Sequence, residues 1–527
     1  MTVTYARQAA RLPLRDAAVT ITAADLLRDI TYLASDELAG RATPSPGQDL
    51  AAAYVEKALR EAGIRPFGDH GTYRQHYVVT RATLTPQETT LAIGARAFAH
   101  GSDFVLTNFL TPAVSTGGVV YVGTGIRSPK MQWDPYANVD VRGKWLLVHG
   151  PAMLPEGVTR QMLGTPGVDH MPAAQEARTR GALGLLVIPS GDALTSLDKV
   201  TPRSTVARDL NPSVGWAYAR SPLPQLVLSK AALAALLDGE PANADALLAA
   251  DVSHRYGASF ALRGGTTVTL RLAAETENTD AYNVAGIVDG ADPRLKDEYL
   301  TVSSHLDGAI GGATGADTIF NAADDNASGS AGNLAIARAL VQGPPPKRSV
   351  VLIWDTGEET GLWGSRHVAY SDLSRHIVAH TCVDMIGRTK APGSNVRGQE
   401  NLAGPGEVFV AGPGVLSTRM DQALAVVARD FPYATQNRRF DNAAESFFYP
   451  RTDAAPYFER RIPYVEFFTG LHEDYHRPSD EVSKIDPAKM EAVARTVYVF
   501  VSTLADDPIR PSIDKPLPPN LTALLAR

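Results

Sequence analysis

The chain reads as an α/β protein built on a sheet with much parallel character, and three observations lead there. From about residue 280 onward, strand-like runs alternate with helical ones: Tyr282–Val288, Glu298–Ser304, Val350–Trp354, Ile377–Asp384, Val408–Ala411 and Ile462–Phe468. The run Val350–Trp354 (VVLIW) is apolar at every position, as a strand covered on both faces requires. Between about 110 and 262 the texture changes to short strands joined by long Pro/Gly-rich connections. At 527 residues the chain exceeds one ordinary domain of roughly 100–200 residues, so the change of texture reads as a second domain.

Residues 22–63 read as helical. Thr22 or Ala23 opens a run in which Leu26, Leu27, Ile30 and Leu33 recur at helical spacing, and Leu50, Tyr54, Ala58 and Leu59 do so again. Ser35–Arg41 (SDELAGR) between them is a polar loop containing glycine. The strands of the middle stretch are Gly118–Val122, Lys144–His149, Leu183–Ile188 and Gln225–Leu228, with no fixed repeat period. In the alternating region Ser330–Val341 forms a helix, with Leu334, Ala337 and Val341 on one face. Asp514–Pro519 (DKPLPP) is a proline-rich tail or lid edge.

Composition removes several classes of function. A net charge of −7 with scattered Lys and Arg gives no electrostatic case for nucleic acid. No segment approaches the roughly 18 uninterrupted apolar residues of a membrane span. One cysteine, Cys382, excludes an intrachain disulfide framework and a cysteine-based zinc site. The first twenty residues carry charges where a signal peptide needs an apolar core, so no leader is visible.

The chemistry gathers at the ends of the expected strands. Glu358 and Glu359 lie in a glycine-flanked turn just past Trp354, where open α/β sheets place their sites. Neighbouring side chains in a turn point different ways, so one Glu can hold a metal while the other faces substrate. His305 and Asp307 follow the run EYLTVSS, a spacing that lets a carboxylate fix the ring's tautomer. Asp324–Gly329 (DDNASG) opens the 330–341 helix, Asp384 ends IVAHTCVD, and His476 lies in the turn after YVEFF. Two histidines and several carboxylates form an N/O ligand set that suits zinc, with cobalt or manganese as substitutes. Two other motifs fail: the would-be calcium loop at 324 has Ala335 where a bidentate Glu is required. His472–His476 (HEDYH) fits the helical zinc-protease pattern, but Gly470 and Pro478 leave no room for that helix.

Taken together, SDELAGR, SSHLDG, DTIFNAADDNASG, TGEETGLWGS, VDMIG and GLHEDYHRPSDEVSKID resemble the co-catalytic di-zinc aminopeptidase family, which includes glutamate carboxypeptidase II and the transferrin receptor. The likeness runs from about residue 22 to 505. It implies a three-layer α/β/α catalytic domain with a mostly parallel mixed sheet, contributed by residues 20–110 and 263–510. VRGKWLLV, AAQEARTRGALGLLVIP and LPQLVLS resemble the protease-associated domain that such enzymes often carry, here at 111–262, with 511–527 as tail. The resemblance implies two zinc ions per chain, His305 and Asp384 on one, Glu359 and His476 on the other, and Asp325 bridging. Asp325 is preferred to Asp324 because the family's bridging Asp stands four residues before the glycine, here Gly329. Asp307 would orient His305, Glu358 would be the general base, and Tyr475 would meet the developing oxyanion. Arg451 and Asp453 stand where relatives have Arg-Ser-Asp lining the substrate pocket, with Thr452 in place of Ser.

The expected activity is therefore hydrolysis of a peptide at its free N-terminus, and the family suggests a secreted or periplasmic location. A carboxypeptidase or deacylase on the same metal core, and a non-catalytic receptor-like protein, are the competing expectations. Arg438, Arg439 and Arg451 could form the cation cluster a carboxypeptidase needs. No G-x-S-x-G elbow is present and Cys382 lies in a strand-like run, which leaves acyl-enzyme chemistry without a nucleophile.

Overall fold

In the computed structural model the described residues are 11–527, apart from 109–111, 151–152, 165–168, 189–204, 210–222, 264, 309–315, 443–450, 519–520, 523–524 and 526–527. The chain divides into two compact units: Met1–Val78 with Asp209–Ala217 and Asp280–Arg527, and Val79–Arg208 with Tyr218–Thr279. The second is wider than the 111–262 stretch that texture marks in the sequence.

The first unit is organised by six strands: β1 (Ala274–Val288, lying in this unit from Asp280), β2 (Tyr299–His305), β3 (Ser349–Asp355), β4 (Ile377–Val383), β5 (Glu407–Ala411) and β6 (Tyr464–Phe468). Their spatial order is β1-β3-β2-β4-β6-β5. The inner strands β3, β2, β4 and β6 run parallel, while β1 and β5 pair antiparallel to β3 and β6. All four parallel strands therefore end at one edge of the sheet. That edge receives the candidate ligands.

Alternation along β3 builds the layers. Val350, Leu352 and Trp354 join one core cluster, whereas Val351 and Ile353 join another on the opposite face. The first face is covered by α1 (Ala23–Leu33), α2 (Pro46–Glu61), α3 (Gly329–Gln342) and α6 (Pro487–Asp506), through Leu26, Val55, Leu334 and Val497 among others. The second is covered by α4 (Trp363–Tyr370) and α5 (Ala454–Glu459), through Val368 and Tyr457. This is the three-layer arrangement. Local chemistry fixes the helix starts: Thr22, Ser45 and Asp486 each accept a backbone N–H at an N-cap, and Pro46 and Pro487 occupy the first turns. The proline-rich end is tethered, since Lys515 donates to the carbonyls of Pro413 and Gly414 and to Asp421; Pro519 lies outside the described residues.

The second unit holds two sheets. Val119–Tyr121, Trp145–His149, Gly184–Ile188 and Gln225–Leu228 run parallel in sequence order, flanked by antiparallel Phe260–Ala261 and Phe104–Asn108. These four strands match the expected ones to within a residue or two. A four-stranded antiparallel sheet of Arg96–Ala99, Thr90–Ile93, Val268–Leu272 and Ala113–Gly117 was not anticipated. Among the described residues no helix is long and apolar enough to cross a membrane.

Candidate metal centre

Each candidate ligand leaves the same sheet edge. His305 is the last residue of β2, Asp384 follows β4 with its N–H on the Phe467 carbonyl, and Glu358 and Glu359 occupy the turn after β3. Asp325 belongs to a kinked turn, Ala323–Ser328, that opens α3. Asn326 ties that turn to the Asp384 segment: its amide donates to the Val383 carbonyl, and its oxygen accepts from Gly329 and Met385. A Cβ on Gly329 would lie 2.2 Å from that oxygen and 2.3 Å from the Val383 carbonyl, so no larger residue fits. The segment bearing His476 is a chain of turns, with Tyr475 N–H on the His472 carbonyl and Arg477 N–H on the Asp474 carbonyl. No helix forms there, as Gly470 and Pro478 required. His476 has φ 56°, and Met385, beside Asp384, has φ 52°. Left-handed non-glycine backbone costs about 1–3 kcal/mol each and gathers at functional sites.

The side chains converge as two groups that share one residue. His305, Asp325 and Asp384 form the first, and Asp325, Glu359 and His476 form the second. His305 Nε2 lies 3.2 Å from Asp325 Oδ1 and 3.4 Å from Asp384 Oδ1. His476 Nε2 lies 3.1 Å from Asp325 Oδ2 and 3.1 Å from Glu359 Oε2. One carboxylate thus presents one oxygen to each group. Three buried atoms here, His305 Nε2, Asp384 Oδ1 and Glu359 Oε1, have no hydrogen-bond partner among the described residues. Buried polar atoms are nearly always satisfied, so a cation between them fits the donor set.

Charge balance says the same. Burial pulls both histidines down, but Asp384, Asp325 and Glu358 outweigh it at His305, lifting it well above the usual range, and Asp325 and Glu359 outweigh it at His476, lifting it to about 10. Burial and Asp325 raise Glu359 to about 7. Behind the site, burial raises Asp453 to about 7 and Glu466 to about 8. So many carboxylates in one dry volume need positive charge among them.

The structure amends two expectations. His305 Nδ1 bonds not to the Asp307 carboxylate but to its backbone carbonyl at 2.9 Å, the nearest carboxylate oxygen being 3.9 Å away. That carboxylate instead accepts the N–H groups of Glu358 and Glu359, both at 3.2 Å, and so holds the turn that carries both side chains. Arg451 is exposed, whereas Asp453 is 2% exposed and neither of its oxygens has a hydrogen-bond partner among the described residues, so Asp453 is a buried acid and not an exposed pocket-lining one. Tyr475 stacks on His476 with ring centroids 3.7 Å apart, and burial raises its phenol.

Two further residues brace the site: Asp480, which had no signal of its own in the sequence, and His472, already set apart there from the ligands. Asp480 accepts the N–H groups of Asp324 and Asp325 and so fixes the shared carboxylate's backbone. His472 is not in either metal group; its Nε2 lies 3.3 Å from Asp324, and Arg388 donates to its Nδ1 at 3.1 Å.

Residues 283–501 match the sequence profile of peptidase family M28. A probable leucine aminopeptidase of Arthroderma otae is 26% identical over 224 residues, 40% of this chain, and the chain spans 56% of that relative's length. An aminopeptidase from Aneurinibacillus sp. strain AM-1 superposes with a TM-score of 0.52 at 19% identity, over 96% of this chain and 99% of its own, a likeness of fold. A zinc aminopeptidase from Bacillus subtilis gives 0.45 at 16% identity, over 91% and 95%.

Proposed function

We propose that this chain, whose residues 283–501 match the profile of peptidase family M28, is a zinc-dependent exopeptidase acting on the free N-terminus of a peptide. The observation that carries the reading is the pair of ligand groups sharing Asp325. His305 and Asp384 would hold one zinc, Glu359 and His476 the other, and Asp325 both. Bound there, zinc supplies an acidified water and a positive clamp for the carbonyl under attack.

The chain's own residues supply the rest. Glu358, held by the Asp307 carboxylate through its N–H, takes the proton of the attacking water and returns it to the leaving amine. Burial and Asp453, Glu359 and Asp384 push its carboxyl well above the usual range, and zinc held by the neighbouring ligands would offset those charges and leave it ionised to accept the proton. Tyr475 donates its phenol hydrogen to the oxyanion as charge develops. Partly exposed Glu358 and the Asp384 edge offer negative charge to a substrate ammonium.

One finding favours the amino end over the carboxyl end. Arg438, one of the cations a carboxypeptidase would need, is held by Asp421 at 2.8 Å and by Asp441. Arg439 lies over the Phe440 ring. We read the second unit as a protease-associated-like insertion, on its four parallel strands and the texture of its sequence. The test is a set of free, N-acetylated and C-amidated peptides, with and without chelator. Acetylation should abolish cleavage and amidation should not; the reverse pattern would establish a carboxypeptidase.

A further inference from the structure

We propose that Arg41 is a positioning residue that locks together the two turns carrying His305 and Asp325, and thereby sets how tightly the site takes up zinc. This rests on the metal reading above. The Arg41 side chain is completely buried and directs its donors to four backbone carbonyls. Nε donates to Leu306 at 2.7 Å, Nη1 to Leu33 and to Asn321 at 2.9 Å, and Nη2 to Ala322 at 3.1 Å. Leu306 lies between His305 and Asp307, and Ala322 stands three residues before Asp325. The planar fork therefore spans the two ligand-bearing turns and the end of α1.

The charge matters as well as the fork. Burial lowers the guanidinium to about 10, against Asp307, Asp480, Asp325 and Glu359, which hold it up. It stays cationic at neutral pH. With four of its five N–H groups engaged by carbonyls, it adds positive charge behind the carboxylates without capturing an oxygen a metal needs.

The backbone is shaped to deliver it. Ala39, Gly40 and Arg41 are consecutively left-handed, at φ 44°, 80° and 59°. A Cβ on Gly40 would lie 2.7 Å from the Phe320 carbonyl, and the Gly40 carbonyl accepts the Gly308 N–H at 2.9 Å. What reads as a polar loop is a fitting that carries one buried cation to the back of the site.

Arg41→Lys tests this, because it keeps the charge and loses the fork. Zinc dissociation constants are measured by competition with a chromophoric chelator, alongside thermal unfolding of the metal-free protein. Loss of outer-sphere support typically weakens metal binding about 10–100-fold, and that range is expected here with both ions affected. Wild-type zinc affinity in a folded Arg41→Lys protein would overturn the proposal. Should that variant not fold, Gly308→Ala strains the same junction, because its Cβ would meet Ala322 Cβ at 2.6 Å and the Gly40 carbonyl at 2.9 Å. It should weaken zinc likewise, and unchanged affinity would count against Arg41. A wild-type protein that takes up no zinc would overturn the metal reading itself, and this one with it.

Discussion

Replacing His472 and His476 separately by alanine should give opposite phenotypes, although the two stand four residues apart in HEDYH. His472 is buried, and its Nε2 faces the carboxylate of Asp324, whose side chain is also fully buried. Asp324 Oδ2 has no hydrogen-bond partner among the described residues, so His472→Ala leaves a dry carboxylate oxygen facing a void. Removing one member of a buried pair costs about 3–5 kcal/mol. At about 2–4 °C per kcal/mol for 150–250 residues, and less for a larger unit, the melting temperature should fall on the order of 5–10 °C. Bound zinc should be unchanged. The His476 side chain is 41% exposed and, among the described acidic groups, pairs with Asp325 and Glu359, so His476→Ala should lose zinc from the second group and most of the activity. Elemental analysis of dialysed protein and scanning calorimetry read both quantities. Equal zinc loss from the two variants would restore the single-zinc helical motif, and a His472→Ala protein of native stability would refute the pairing with Asp324.

Three further outcomes follow from the same geometry. Glu358→Gln should lower turnover by about 10²–10⁴-fold, the usual worth of acid–base catalysis, while zinc content stays near wild type; metal analysis with steady-state rates checks both. Asp474 is bound by Lys484 at 2.6 Å, Ser479 at 2.7 Å and Arg388 at 3.0 Å, and these outweigh burial to lower its carboxyl from 3.8 to about 2. A depressed carboxylate stabilises above its unfolded value and loses that contribution as pH falls toward its folded one. The stability gap between wild type and Asp474→Asn should thus be constant above about pH 5 and close between pH 4 and 2, measured by urea unfolding. Gly470→Ala should be severely destabilising, because its Cβ would lie 1.8 Å from the Asn401 carbonyl at φ 98°; a melting temperature within a degree of wild type would contradict this.

The sheet and the residues that cluster at its edge were legible in the sequence because both are local. An apolar strand followed by a polar turn announces itself, and β2, β3, β4 and β6 each end within a few residues of a His, Asp or Glu. Features made by distant backbone were not legible. Spacing alone could not separate the Asp307 carbonyl from its carboxylate as the partner of His305, since both lie two residues on and only the turn decides. Arg41 and Asp480 act on main-chain atoms of segments far along the chain, and leave no periodicity to read. Asp453 looked like a pocket residue by position, yet its place at the start of α5 buries it. The strands Thr90–Ile93 and Val268–Leu272 pair across nearly the whole second unit, so texture near residue 110 could not signal them.

The central claim is that the groups sharing Asp325 make this chain a metal-dependent aminopeptidase. Its most direct test is to titrate zinc into chelator-stripped protein while following release of the N-terminal residue from a free peptide. Activity should be absent without metal and rise to a plateau at two equivalents per chain. Full activity in the stripped protein, or none at any zinc level, would contradict the account.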